Sequence, residues 1–271
     1  MPGAYMKIAA AVIAGLMACS AGWAKEPAVL EQGRALLAGA SYYDAVIALE
    51  PLLLQKDKSK AQQEAYIIAD KACRKLVLEE HLLMREYETL YPLGSGTGPG
   101  DMKWEKILAL NRLGAGITYD GMAGDYDYSY DLLRTLVKKY PDSKYAPAAR
   151  FYVIRPGIND LAEVERELRE LAAYVKKYPG LKEADLARLK TARINDNLWE
   201  TLGQNGWPPF SSGDTDKDRE RGAQSREKAL KQYEKLLKGS KLDAATVKGI
   251  GERYKELKAF KISGRYYIIS D

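Results

Sequence analysis

Val137-Lys138-Lys139-Tyr140-Pro141 recurs unchanged as Val175-Lys176-Lys177-Tyr178-Pro179, 38 residues later. The correspondence runs outward from both copies. Leu133 aligns with Leu171, Lys144 with Lys182, Ala146 with Ala184, Ala149 with Ala187 and Arg150 with Arg188. Proline ends a helix because it has no N–H to donate and its ring crowds the preceding turn. The alanines that follow place small side chains where helices must approach closely. A period near 38 with this punctuation predicts stacked helical hairpins, each unable to bury its apolar face alone. Looser copies fall at Tyr87 to Pro92 and at Tyr233 to Lys241, where Gly239-Ser240 replaces Tyr-Pro.

The rest of the chain reads the same way. From Pro27 onward apolar residues recur at three- and four-residue spacing, and almost no strand alternation appears before the last few residues, so the fold class is all-α. Leu30, Leu36 and Leu37 mark a first helix that stops at Gly39, and Tyr42 to Leu54 a second. Ser59 is placed to cap a long helix from about Ala61 to Leu90. The loop Gly94 to Gly100 cannot hold a helix, and Gly203 to Gln224 is the longest interruption. The tail Gly264 to Ile269 is β-prone.

Tyr140-Pro141-Asp142-Ser143 followed by Tyr145-Ala146-Pro147-Ala148-Ala149 resembles tetratricopeptide repeats, in the divergent form found in the outer-membrane assembly lipoprotein BamD family of the bacterial envelope. Gly124-Asp125-Tyr126 and Gly39-Ala40-Ser41-Tyr42-Tyr43-Asp44-Ala45 are similar to the glycine-to-tyrosine turn inside such a repeat. The resemblance covers most of residues 28 to 260. It implies an α-solenoid that binds proteins or peptides along a curved groove.

The first 24 residues have a separate purpose. Lys7, the apolar run Ile8 to Ala18 and the small residues Ala21, Gly22 and Ala24 compose a secretory signal peptide. Its apolar run is far shorter than the roughly 20 residues of a membrane span. Cleavage after Gly22-Trp23-Ala24 would release a soluble domain, residues 25–271, into the periplasm. The alternative is a lipobox, Leu16-Met17-Ala18-Cys19, which would acylate Cys19 and make it the one membrane attachment. In either case Cys73 is the sole unmodified cysteine, and the stripe of Ala69, Ala72, Leu76 and Leu83 around it reads as buried.

The chain has 271 residues, 46% hydrophobic and 29% charged, so it can bury a sizeable core. Its formal charge is only +5, with both signs interspersed, which argues against a nucleic-acid partner. One histidine and two cysteines supply no ordinary zinc or haem ligand set, so neither metal nor cofactor is expected. His81 has no second histidine to join it. Gly94 to Gly100 lacks the Gly-Lys-Ser/Thr ending of a phosphate loop. Asp214-Thr215-Asp216-Lys217-Asp218 opens like a calcium loop but has Arg219 and Ser225 where glycine and glutamate belong, so it reads as a solvated loop.

What remains points to binding. Tyr126, Asp127, Tyr130 and Asp131 form the densest aromatic and acidic cluster, with helical phase placing Tyr126, Tyr130, Leu133 and Val137 on one packing stripe. Trp207-Pro208-Pro209-Phe210 holds Trp207 and Phe210 on a stiff proline unit, either tucked against the helices or presented to a partner. These residues make the expected function a non-enzymatic periplasmic scaffold whose partner is an envelope protein or peptide. The alternative is a glycan-binding or glycan-processing subunit that stacks sugar on the tyrosines.

Overall fold

The structure, a computed structural model, describes residues 26–56, 58–90, 104–120, 125–157, 160–202 and 210–263. Residues 1–25 with Cys19, the loop Gly94–Gly100, Trp207 and the tail from Gly264 lie outside the described residues. The described chain is predominantly helical, as the periodicity predicts. It divides into two compact units, Met1–Leu132 and Leu133–Asp271.

The first unit contains α1 (Glu26–Ala38), α2 (Tyr42–Ala48), α3 (Glu50–Leu53), α4 (Lys60–Leu90) and α5 (Trp104–Arg112), followed by strands β1 (Ile117–Asp120) and β2 (Asp125–Tyr128). Helix α4 is its spine: α1, α2, α3 and β2 all pack on it. They can approach closely because Ala65, Ala69, Ala72 and Cys73 lie on one helical face and are fully buried. As predicted, the Ser59 hydroxyl caps α4, accepting from the Gln62 N–H at 3.0 Å. The second predicted helix is interrupted at Leu49. Pro51 cannot donate a hydrogen bond and its ring would clash with the carbonyl of Ile47, so the chain restarts as the short α3. The buried Gln62 amide ties that segment down by donating to the carbonyls of Leu52 and Gln55 at 2.8 and 2.7 Å.

The second unit contains α6 (Asp131–Lys139, from Leu133 onward), α7 (Ala146–Tyr152), α8 (Leu161–Lys177), α9 (Lys182–Glu200), α10 (Thr215–Lys238) and α11 (Ala244–Lys258). The repeated sequence is also a repeated conformation. The N–H groups of Tyr140, Ser143 and Ala146 donate to the carbonyls of Leu136, Tyr140 and Ser143; those of Tyr178, Leu181 and Ala184 donate to Tyr174, Tyr178 and Leu181. Every partner is displaced by the same 38 residues. The paired alanines are buried in both copies, as are Leu133 and Leu171. The Tyr174 hydroxyl donates to the Pro147 carbonyl at 2.9 Å and so joins α8 to α7.

Helix α9 packs on α7, α8 and α10. Ala184, Ala187, Ile194 and Leu198 face one cluster with Val164, Leu171 and Tyr174, while Leu189, Ala192 and Trp199 face another with Tyr233, Leu236, Ile250 and Leu257. Burial on both sides leaves its polar residues in the interior too, including Asn195, Asp196, Asn197 and Glu200. Arg253 of α11 answers them. Its guanidinium donates to both Asp196 oxygens and to Glu200 Oε1, all at 2.7 Å, and to the Lys261 carbonyl at 2.9 Å. Burial lowers the pKa of Arg253, but the hydrogen bond and charge of Asp196 and the charge of Glu200 outweigh it and hold the value above the ordinary one. The segment leading into α8 is equally tight. A Cβ on Gly157 would lie 2.4 Å from the Glu163 and Val164 backbone, and the Gly157 N–H donates to buried Glu167 at 2.8 Å.

Two expectations change. Residues 215–224 belong to α10, so the long interruption is shorter than Gly203 to Gln224, and Asp214-Thr215-Asp216-Lys217-Asp218 is a helix start and not a solvated loop. Asp214 caps the helix through the Lys217 N–H, and buried Asp218 accepts from the Ser211 hydroxyl at 2.5 Å and the Ser212 N–H at 3.0 Å.

Replacing Arg253 by Met strands two buried carboxylates and is expected to cost about 3–5 kcal/mol in urea unfolding; a loss under about 1 kcal/mol would show that the pair is not needed. Asp218 gives a pH signature. The Ser211 hydroxyl, followed by the Ser212 N–H, holds its carboxyl below the ordinary 3.8, so its stabilisation is complete above that value and is lost as pH falls through the lowered one. Thermal melting of Asp218→Asn should therefore trail the parent at neutral pH, with the gap closing below pH 3.8. A gap independent of pH would contradict this assignment.

Candidate functional site

The tyrosine and aspartate cluster is a β-hairpin, a correction to the helical stripe predicted through Tyr126 and Tyr130. Asp125-Tyr126-Asp127-Tyr128 alternates polar and aromatic residues with period two, and tyrosine suits a pleated surface. β1 and β2 pair antiparallel with Ile117 opposite Tyr128, Thr118 opposite Asp127 and Tyr119 opposite Tyr126. The Asn111 side chain bonds both the N–H and the carbonyl of Ile117 at 2.7 Å and so holds the start of the hairpin. Gly116 adopts φ +69°, and a Cβ there would meet the Ser129 hydroxyl at 2.1 Å.

The alternation decides which residues a ligand can reach. Tyr126 and Tyr128 are buried, Tyr130 and Asp131 half-buried and Asp127 exposed. Tyr119 is exposed and its ring lies 5.1 Å from that of Tyr126; the rings of Tyr128 and Tyr130 are 4.9 Å apart. Register puts Tyr119 and Asp127 on opposite faces, so the hairpin does not present an exposed ring and a carboxylate together. Tyr126 packs, as the stripe implied, but from a strand and not from a helix.

The hairpin is fastened to α4 by a buried polar cluster. The Tyr128 hydroxyl donates to Asp70 Oδ1 at 3.1 Å, while Arg74 donates to Oδ2 at 3.0 and 2.6 Å. Burial raises the Asp70 carboxyl and Arg74 opposes it; the phenol of Tyr128 and the thiol of Cys73 are both pushed far up by burial and by the Asp70 charge. Cys73 is therefore an inert core thiol.

Phe210 takes the tucked of its two alternatives. It is 1% exposed and packs with Val164, Tyr174 and Leu198 in the second unit's core, because burying a large ring is worth more than leaving it in water. It is not a surface anchor. Its companion Trp207 lies outside the described residues, as does the side chain of His81 in α4.

Sequence reasoning missed a groove of about 470 Å³ in the second unit, within the range of ligand pockets. Ala172, Val175 and Lys176 of α8, Asp185, Arg188 and Thr191 of α9, and Gln232, Lys235 and Gly239 at the end of α10 line it. Asp185 is committed to the fold, accepting from Arg188 at 2.6 Å and from the Lys241 N–H at 2.8 Å. The sequence signal was Lys176, inside the repeated pentapeptide.

No group of three or more histidine, cysteine or acidic residues among the described residues could hold a metal ion. No helix among them is long and apolar enough to cross a membrane. Comparison with protein-family models, with curated proteins and with solved structures finds no match.

Tyr128→Phe deletes the hydroxyl while keeping the ring, and is expected to cost about 1–2 kcal/mol through the lost bond to a buried carboxylate. Amide exchange should quicken in Ile117–Tyr128 and stay unchanged in α8 and α9; unchanged exchange in the hairpin would remove its tether to Asp70.

Proposed function

We propose that the protein is a non-enzymatic interaction scaffold of tetratricopeptide type, exported by its signal segment to work in the bacterial envelope. The observation that carries this reading is the recurrence, 38 residues apart, of one set of turn hydrogen bonds together with the residues that make them. Helices α6 and α7, then α8 and α9, are successive copies of one helix-turn-helix unit, and α10 with α11 is a third hairpin whose turn is built instead on Gly239 and the Asp243 cap. Such a succession is what a stacked solenoid is made of.

The buried chemistry fits the same reading. The second unit's interior carboxylates Asp196, Glu200 and Glu167 are each met by a cation or N–H inside the protein, so they hold helices together and do not face a substrate. The partner is an envelope protein or peptide, bound on the helical surface.

Crosslinking in living envelopes followed by mass spectrometry of the purified adducts is expected to return one recurrent protein at near-stoichiometric yield. Repeated recovery of the chain alone would sink the scaffold reading. The N-terminal peptide in the same spectra distinguishes a soluble form beginning at Lys25 from an acylated Cys19.

A further inference from the structure

We propose that the α8–α9–α10 groove is the binding site, and that it takes an extended, acidic segment of a partner protein. This deepens the scaffold reading and rests on it. The first observation is the distribution of charge. The overall +5 conceals two opposite units: Met1–Leu132 carries 13 Lys+Arg against 17 Asp+Glu, and Leu133–Asp271 carries 29 against 20. The mixed-sign appearance of the chain gives way, once divided, to −4 and +9. A unit this basic attracts anionic partners over several ångströms and accelerates their encounter.

The second observation is local. Among the nine residues that line the groove, Lys176, Arg188 and Lys235 are basic and Asp185 alone is acidic. Arg188 and Asp185 neutralise one another at 2.6 Å. Lys176 on α8 and Lys235 on α10 are exposed and have no ion-pair partner among the described residues. Some other lysines of this unit are engaged, Lys190 with Glu167, Lys238 with Glu234, Lys248 with Glu252 and Lys177 over the Tyr178 ring, while Lys138 and Lys255, which also lack an ion-pair partner among the described residues, lie outside the groove. The groove therefore holds two free ammonium groups contributed by different helices.

The remaining lining distinguishes a peptide from a bare polyanion. Ala172 and Val175 offer apolar surface that a sugar-phosphate or lipid headgroup would not use, and that the methylenes of a peptide cover. The Gln232 amide, half-buried in the wall and without a hydrogen-bond partner among the described residues, can both donate to and accept from a peptide main chain. Gly239 and Gly180 have nothing within 4 Å of the position a Cβ would take, so the α10 end of the groove is open to a chain running past it. Lys176 and Lys235 then meet acidic side chains of the bound segment while Gln232 holds its backbone.

The test uses the full mature chain and a fluorescein-labelled decapeptide of alternating Glu and Ala, read by anisotropy, with the Gln-for-Glu peptide and phosphatidylglycerol vesicles as comparison ligands. The Glu peptide should bind about tenfold or more tightly than its Gln counterpart, and weaken with salt. Lys176→Glu with Lys235→Glu should reduce its affinity about tenfold or more. Lys138→Glu with Lys255→Glu, an equal charge change on α6 and α11, should leave it within about twofold. Circular dichroism checks that both variants fold.

Equal losses in the two variants would assign binding to net charge and overturn the groove. So would failure of the Glu peptide to bind, or vesicle binding that alone depends on Lys176 and Lys235. If the peptide fails while envelope crosslinking still returns a protein partner, the groove chemistry falls and the scaffold stands. If no partner is returned, the scaffold reading falls whatever the peptide does.

Discussion

The guanidinium of Arg253 donates to Asp196 and Glu200 on successive turns of α9, and the second unit depends on that arrangement. Helix α9 is covered on both sides, which buries apolar area effectively but drags two carboxylates into the interior. An unpaired buried charge costs several kcal/mol, so the helix can occupy the centre only if a cation comes with it. That cation belongs to α11, and the Lys261 carbonyl and the Ser263 N–H are drawn into the same cluster through Arg253 and Glu200. The C-terminal helix thereby becomes part of the core's electrostatics. Arg226 reinforces it by donating to the carbonyls of Leu257 and Lys258 at the end of α11 and stacking over Phe260.

The proposed binding belongs to the surface around this paired interior. The buried carboxylates described above have internal partners, in the Asp70, Arg74 and Tyr128 cluster as much as around Arg253. Carboxylates partnered in this way stabilise and orient the helices that carry them. Lys176, Lys235 and Gln232 keep bonding capacity that no described residue uses, and they share one groove.

Some local features were readable because short-range physics decides them. The Ser59 cap, the stop at Gly39 and the proline turns at Tyr140 and Tyr178 follow from which residues can donate, bend or fill a helix end. Even here the details moved. The left-handed residue after α1 is Ala40 at φ 59°, one beyond Gly39, because the Ser41 N–H must reach back to Leu36 to close the helix end. The hairpin at Tyr119 and Tyr126 was signalled by alternation over a stretch too short to outweigh the helical periodicity around it. Phe210 and Tyr126 look like anchors in the sequence because aromatic residues serve cores and interfaces equally.

The amino-acid sequence by itself determined the helical class, the 38-residue period and the local caps and turns, since each depends on neighbours a few residues apart. It also determined that one histidine and two cysteines leave few ways to bind a metal. Tertiary structure decided the rest. Whether Asp185 is a groove ligand or a structural acceptor depends on Lys241, 56 residues away. The pairing of Asp196 in the interior depends on Arg253, 57 residues away. Which lysines remain unpaired depends on where other helices place their carboxylates. Burial and charge pairing are properties of residues brought together from distant parts of the chain, and no local pattern records them.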